Sequence, residues 1–139
     1  MCHFHQIAIV RRYLTSRLKL EAGKELRAIT LSLPISSEKV FTDLLNAWHE
    51  KWKDFLKEKT YSFDNQRWQY THKRIRSAYR SLKTNLPHLF TYQKYPYLKI
   101  PNTTNSLDGF FGKLKGLLNI HRGLSPKRRL KLIREILFG

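Results

Sequence analysis

The sequence predicts a mainly α fold with little or no strand, because apolar residues recur every three or four positions and helix-start signals precede several of these runs. Residues 40–56 carry the clearest apolar stripe, and residues 75–82 carry a second one. Near the C-terminus, Ser125 offers a cap and Pro126 a first helical residue whose backbone angle is already helical. Since this spacing gathers apolar side chains on one helix face, packed helices are expected to form the core.

The N-terminal part is expected to contain three helices. In residues 3–14 the apolar positions suit a buried helix, although Ile7 to Val10 could equally be strand; they are Phe4, Ile7, Ala8 and Leu14. Residues 20–33 predict a short helix that Pro34 ends. Ser36 and Ser37 then offer a cap for a helix with Glu38 in its first turn, where the dipole favours an acid. Its apolar stripe comprises Val40, Phe41, Leu44, Leu45, Trp48, Trp52, Phe55 and Leu56.

The middle of the chain is expected to hold one more helix between two irregular segments. Residues 60–66 are polar and typical of a turn. The following helix should end near Pro87, with Ile75, Ala78, Tyr79 and Leu82 inward and Arg74, Arg76, Arg80 and Lys83 outward. Residues 92–101 contain two prolines and predict an extended connector.

Two helices are expected to close the chain. The first follows the Thr/Asn/Ser stretch at residues 103–106 and the second begins at Pro126. The first should bury one apolar stripe, made of Leu107, Phe110, Phe111, Leu114, Leu117 and Leu118. Gly109, Gly112 and Gly116 lie opposite that stripe, and each weakens a helix by about 1 kcal/mol relative to Ala. A close approach by another backbone, of protein or nucleic acid, would offset that loss.

Length and composition are those of one ordinary domain with a core of its own. The chain has 139 residues and a single cysteine, which excludes an internal disulfide. No apolar run approaches the roughly 20 residues that cross a bilayer, and the N-terminus lacks the layout of a signal peptide. We therefore expect a cytoplasmic protein with no membrane partner.

Positive charge is the strongest compositional signal. The net charge is +17; residues 1–64 carry 11 basic and 8 acidic residues, whereas residues 65–139 carry 16 basic and 2 acidic. A field of this size repels itself unless a polyanion screens it, and nucleic acid is the usual polyanion. The alternative is a basic surface that water alone solvates.

Two clusters have simpler interpretations than the chemistry they suggest. Cys2 and His5 are spaced like zinc ligands, but a structural zinc site needs four ligands, and the other histidines bring no second cysteine. The favoured interpretation is that Cys2 and His5 pack in the core or hold a neighbouring residue in position. Trp48 and Trp52 could stack on bases, but both fall on an apolar helix stripe, so core packing is favoured.

Asp108 is the only acid between Asp64 and Glu135. It is expected on the flank of its helix, aligned with Gly112 and Lys115. A carboxylate in a first turn is favourable helix chemistry by itself. The alternative is a metal ligand, because two-metal phosphoryl transfer needs carboxylates that hold Mg²⁺ amid basic residues that hold DNA.

The order of two motifs resembles one family. The opening C-H-F-H-Q-I-A-I-V-R-R-Y-L-T, followed by a helical stretch and then by N-T-T-N-S-L-D-G-F-F-G-K-L-K and H-R-G-L-S, is similar to the bacterial relatives of the Mutator-like DDE transposases. The resemblance implies an RNase H-like core with three metal-binding acids and a helical insertion. Cys2 and His5 match the family's Cys-x-x-His element, and Thr104, Asn105 and Asp108 match its T-N-x-x-acid element.

This resemblance implies a C-terminal fragment of such a core. Residues 15–100 would be the helical insertion, and residues 101–139 would hold the helix with the third acid and a basic C-terminal helix. The family's third acid is usually Glu, whereas this chain has Asp108, and the first two acids would lie before Cys2. The implied family activity is Mg²⁺-dependent DNA strand cleavage and transfer in the transposition of an insertion sequence. With one acid, this polypeptide is expected neither to perform it alone nor to bind Mg²⁺ productively.

The resemblance implies that the partner is DNA, both at the transposon ends and at the target. It also implies a nucleoid-associated location, and a homo-oligomer in the intact family protein. Residual DNA binding is expected through phosphate contacts from Lys113, Lys115, Arg122, Lys127, Arg128 and Arg129. One alternative is a non-catalytic basic DNA- or RNA-binding domain without transposase ancestry. Another is a decayed reading frame whose product does not fold stably.

Overall fold

The computed structural model describes residues 2–15 and 19–138, which are mainly helical, as predicted. They form two compact units, Met1–Asn102 and Thr103–Gly139. The elements in chain order are α1 (His3–Tyr13), α2 (Glu21–Leu31), α3 (Glu38–Lys57), β1 (Lys59–Ser62), β2 (Arg67–Tyr70), α4 (Lys73–Leu89), α5 (Thr91–Lys94), α6 (Asn105–Ile120) and α7 (Pro126–Phe138). Short 3₁₀ turns cover Leu33–Ile35 and Pro96–Leu98.

Helix α1 settles the helix-or-strand alternative at the N-terminus in favour of helix. Its buried face consists of His3, Gln6 and Val10, and Leu14 follows it into the core. Phe4, which the sequence placed on the buried face, is instead exposed. The buried side includes two polar residues, which a pattern based on apolar residues alone does not detect.

Polar contacts join α1 to α4. The His3 Nε2 atom lies 2.8 Å from the carbonyl oxygen of Leu89, one of the last carbonyls of α4, which lack a partner within the helix. The buried Gln6 amide donates to Ser81 Oγ at 3.1 Å and accepts from Asn85 Nδ2 at 2.8 Å. These bonds satisfy buried polar groups that would otherwise destabilise the fold.

The buried His3 predicts a stability that falls in weak acid. Burial lowers the pKa of His3 below its usual value, and Nδ1 has no hydrogen-bond partner among the described residues. Below a pH of about 6.5 the unfolded state therefore binds more protons than the folded state. The free energy of unfolding, measured by urea titration, should therefore be highest above that pH and should decrease as the pH falls toward the lowered pKa of His3.

Two variants separate His3 from the other histidines. His3→Gln should decrease less in stability than the parent between pH 7.5 and 5.5, because it removes the buried titrating group. His5→Gln, a control at an exposed position of the same helix, should follow the parent. An unchanged pH dependence in His3→Gln would refute the assignment.

Helix α3 supplies much of the aromatic part of the core. The Ser37 side chain caps α3 by accepting a hydrogen bond from the Val40 N–H at 3.3 Å, as the sequence indicated. The predicted stripe is confirmed at its centre, where α3 buries Phe41, Leu45, Trp48 and Leu56, whereas Val40 and Leu44 at its edge are exposed.

The two tryptophans of α3 pack as expected from the stripe. Trp48 is buried and donates its indole N–H to the Ala22 carbonyl at 3.0 Å. Trp52 is half-buried against the core and donates to Glu25 Oε2 at 2.8 Å. The hydrogen bond from Lys51, and to a lesser extent the one from Trp52, lowers the pKa of the Glu25 carboxyl. Core packing is therefore confirmed over base stacking for this pair.

The polar turn predicted at residues 60–66 is wrong in part, because these residues belong to a β-hairpin. β1 and β2 pair antiparallel, with Lys59 opposite Tyr70 and Tyr61 opposite Trp68. Residues 63–66 form the turn, where Gln66 adopts a left-handed φ of 49°. The missed signal is the alternation of aromatic and polar residues on both sides of Asp64-Asn65, which is typical of a hairpin.

Helix α4 continues through Pro87 to Leu89, two residues beyond its predicted end. Leu89 and Phe90 are buried, so tertiary packing overrides the tendency of proline to end a helix near its position. Of the predicted inward residues, Ile75, Ala78 and Leu82 are buried, and Tyr79 is half-buried against the core.

The outward prediction for Arg76 is wrong. This side chain is half-buried, donates to the Leu56 carbonyl at 2.6 Å, and lies with its guanidinium carbon 3.6 Å from the centroid of the Tyr70 ring. Arg76 thus joins α4 to the end of α3 and to the hairpin. Arg80 and Lys83 are exposed, as predicted.

The extended connector predicted for residues 92–101 is also wrong, because α5 and the Pro96–Leu98 turn occupy much of it. Lys99 follows in the left-handed region at φ 47°. The prolines suit this outcome, since Pro96 stands at the first position of a helical turn, where its missing N–H costs nothing.

In the C-terminal unit α6 contacts α7. Gly123, at φ 97° in the connecting turn, adopts a backbone conformation that glycine accommodates without strain. The predicted burial of the α6 stripe is largely wrong: Leu114 is buried and Leu118 half-buried, but Leu107, Phe110, Phe111 and Leu117 are exposed. Among the described residues, no helix is both long and apolar enough to span a bilayer.

Candidate nucleic-acid interface

Asp108 lies in the first turn of α6 and is exposed. Its backbone N–H donates to the Thr104 carbonyl at 2.8 Å, and its Oδ2 atom accepts from Thr104 Oγ1 at 3.2 Å. Three residues before Asp108, the Asn105 N–H donates to Thr103 Oγ1 at 3.3 Å. The T-T-N-S stretch therefore builds the start of the helix, and the dipole favours the carboxylate there.

The carboxylate of Asp108 does not by itself fit a two-metal centre. Within residues 2–15 and 19–138, no group of three or more His, Cys, Asp or Glu side chains gathers in a metal-binding arrangement. Mg²⁺ prefers six oxygen ligands in octahedral geometry, and a lone carboxylate supplies at most two of them.

The two lysines of α6 lie on different sides of the helix. At 100° per residue, Lys115 shares the side of Asp108 and Gly112, whereas Lys113 lies about 160° away from Lys115. The glycine side, comprising Gly109, Gly112 and Gly116, is bare: a Cβ atom added to any of them would meet no atom within 4 Å. No described part of the C-terminal unit packs closely on that side.

The predicted basic residues of the C-terminal helix are consecutive rather than on one face. Lys127, Arg128 and Arg129 occupy the first turn of α7, which contains no acid, and Arg122 lies in the turn before it. Cations at a helix N-terminus oppose the dipole, which favours anions there. The first turn of α7 thus has a charge arrangement that an approaching phosphate would stabilise.

Sequence reasoning missed Lys131 and Arg134. Together with Lys127 they follow the spacing i, i+4, i+7 and form one exposed face of α7, opposite the half-buried Ile133 and Ile136. We call Lys127, Lys131 and Arg134 the α7 basic face. The signal was present in the sequence as this spacing, but the run K-R-R drew attention to consecutive residues instead.

The cations of the C-terminal unit form no ion pair among the residues that the structure describes. Residues 103–139 contain eight Lys and Arg against two Asp and Glu, and none of those eight forms a salt bridge with a described residue. In the other unit, by contrast, Lys24 pairs with Glu21 at 2.7 Å and Lys53 with Glu50 at 2.9 Å. The unpaired cations create a positive field suited to a polyanion.

A second basic region lies between α3 and α4. A cavity of about 240 Å³ is lined there by His49, Leu56, Arg76, Tyr79, Arg80, Lys83 and Thr84. The His49 and Tyr79 rings stack with their centroids 4.7 Å apart and form one wall. Three cations around a small cavity provide the donors that a phosphate group needs.

Cys2 and His5 differ in their surroundings. Cys2 is buried at the cap position of α1, whereas His5 is exposed. The histidine between them, His3, is committed to the carbonyl of Leu89 and to edge-on contacts with the Phe90 and Tyr92 rings. Cys2 and His5 therefore flank the residue that joins the start of α1 to the end of α4.

No protein-family model matches the chain, and no curated protein or solved structure matches it significantly. The resemblance to Mutator-like transposases therefore rests on the order of the two motifs.

Proposed function

We propose that this protein binds DNA, chiefly through contacts between phosphate oxygens and the exposed Lys and Arg side chains of its C-terminal unit. The observation that carries the proposal is the set of eight basic side chains in this unit, none of them in a salt bridge with a described residue. Counterion release on neutralising phosphates then supplies the binding free energy.

The proposal includes descent from a DDE transposase. Its support is the T-N-x-x-Asp element at the start of α6 and the Cys-x-x-His element at the start of α1. In this account Asp108 corresponds to the third metal-binding acid, and the family core is RNase H-like. The polypeptide alone binds DNA without cutting it, so a supercoiled plasmid incubated with the purified chain and Mg²⁺ should remain intact. Mg²⁺-dependent nicking that Asp108→Asn abolishes would contradict this.

Asp108→Asn should leave DNA binding unchanged or strengthen it by up to about threefold. The substitution removes one negative charge from a surface that faces phosphates, and an exposed carboxylate beside them repels them. Fluorescence anisotropy with a labelled blunt duplex measures the effect. A loss of affinity above tenfold with an intact circular dichroism spectrum would show that the carboxylate itself contributes to binding.

A further inference from the structure

The β-hairpin presents one aromatic face. In an antiparallel pair, residues directly opposite each other project to the same side. The pairs Lys59–Tyr70 and Tyr61–Trp68 therefore share a side. Phe63 adds to it from the turn, with its ring centroid 5.3 Å from that of Tyr61. We call Tyr61, Phe63, Trp68 and Tyr70 the hairpin aromatic face.

This face is exposed to an unusual degree. Trp68 is 67 % exposed and Phe63 86 % exposed, and Tyr61 and Tyr70 are exposed as well. The Tyr61 and Trp68 rings contact edge to face, with centroids 5.5 Å apart. A cluster of large exposed aromatic side chains on a folded protein usually marks an interaction site.

Cations border the aromatic rings. The guanidinium carbon of Arg76 lies 3.6 Å and Lys59 Nζ 5.3 Å from the centroid of the Tyr70 ring. Arg76 also lines the basic cavity between α3 and α4, together with Arg80 and Lys83. Residues 65–102 contain eight Lys and Arg and no Asp or Glu. Charge complementarity thus favours a polyanion over a protein partner.

The base of the hairpin is fixed to the helices. Glu58 accepts the Thr71 N–H through its carbonyl at 2.9 Å, and its carboxylate lies 2.8 Å from His72 Nε2. The His72 ring in turn stacks on Phe55, with centroids 3.6 Å apart. These contacts hold the aromatic face in place before any partner binds, which reduces the entropy that binding costs.

We propose that the hairpin aromatic face binds unpaired bases of single-stranded DNA while Arg76, Arg80 and Lys83 hold the adjacent phosphates. Aromatic rings bordered by cations are the features by which proteins hold unpaired bases and their backbone. In a duplex, neighbouring base pairs cover the faces of the bases, so only unpaired bases can stack on these rings. This inference rests on the proposed function, because it takes DNA as the partner and adds which form of DNA the hairpin binds.

The test compares two DNA probes with the full chain. Labelled oligo(dT) of 15 nucleotides and a blunt duplex of 15 base pairs are titrated with the parent, Trp68→Ala and Tyr97→Ala. Tyr97 is 75 % exposed, belongs to the same unit and lies outside the hairpin, so it controls for loss of an exposed aromatic ring. Trp68→Ala should weaken oligo(dT) binding about tenfold or more and change duplex binding less than twofold. Tyr97→Ala should change neither.

Further variants keep the result interpretable. Trp68→Phe retains an aromatic ring and should recover most of the oligo(dT) affinity. Phe63→Ala, in the exposed turn, should also weaken oligo(dT) binding, and it replaces Trp68→Ala as the test if that variant does not fold. Oligo(dT) binding that both Trp68→Ala and Phe63→Ala retain would overturn the inference, as would tighter binding of oligo(U) than of oligo(dT). A parent protein that binds neither probe would refute the proposed function itself, whereas duplex binding without a selective loss in the hairpin variants would refute only this inference.

Discussion

Replacing Lys127, Lys131 and Arg134 together by Gln should weaken duplex DNA binding on the order of a hundredfold at about 0.15 M salt. Each phosphate contact that is lost removes about 0.9 from the slope of log affinity against log salt. Three lost contacts therefore reduce the slope by about 2 to 3. The three side chains form the α7 basic face and are exposed, so their replacement should leave the helix intact. Anisotropy titrations at several salt concentrations measure both effects.

A matched control removes three cations that already have partners. Lys24, Lys53 and Lys57 pair with Glu21, Glu50 and Asp54, so their replacement by Gln changes the net charge equally but removes no unpaired cation. Affinity should then change less than about threefold, because the neighbouring carboxylate already neutralises each of these cations and leaves it little attraction for phosphates. Equal losses in both triple variants would mean that net charge, and not the α7 basic face, determines binding.

Phe41→Ala should decrease the free energy of unfolding by about 3 to 5 kcal/mol, the usual cost of truncating a buried aromatic ring. Phe41 is fully buried on α3, and its ring centroid lies 5.8 Å from that of Phe90. Since native stabilities are typically about 5–15 kcal/mol, the loss is a large part of the total. Urea unfolding followed by tryptophan fluorescence reports on this core through the buried Trp48.

The neighbouring residue provides the control for this prediction. Val40 is 51 % exposed at the edge of the same apolar stripe, so Val40→Ala should change stability by no more than about 0.5 kcal/mol. Similar losses in the two variants would mean that Phe41 does not lie in the principal core of its unit.

The helices could be predicted from the sequence because apolar spacing and caps are local signals. Ser37 and Pro126 begin their helices where expected, and Trp48 is buried as its stripe requires. The errors arose where tertiary contacts decide. Helix α4 passes Pro87 because Leu89 and Phe90 are buried, and a pattern of apolar residues cannot reveal that His3 and Gln6 lie on the buried face of α1.

The candidate site was less predictable than the fold. Composition indicates a basic C-terminal half, and the spacing of Lys127, Lys131 and Arg134 already places them on one helix face, although the consecutive run K-R-R hid that signal. The contact of Arg76 with the Tyr70 ring joins residues of two elements, and the sequence reasoning treated the hairpin as a turn. Asp108 remains a first-turn carboxylate whose role as a former metal ligand is a proposal.

The salt dependence of duplex binding shows whether this protein holds DNA through its phosphates. With the full chain and a blunt duplex, the plot of log affinity against log salt should be linear with a slope of about −3 or steeper, since several basic side chains release counterions. A slope near zero, or no measurable binding at about 50 mM salt, would contradict the claim that the C-terminal unit binds DNA phosphates.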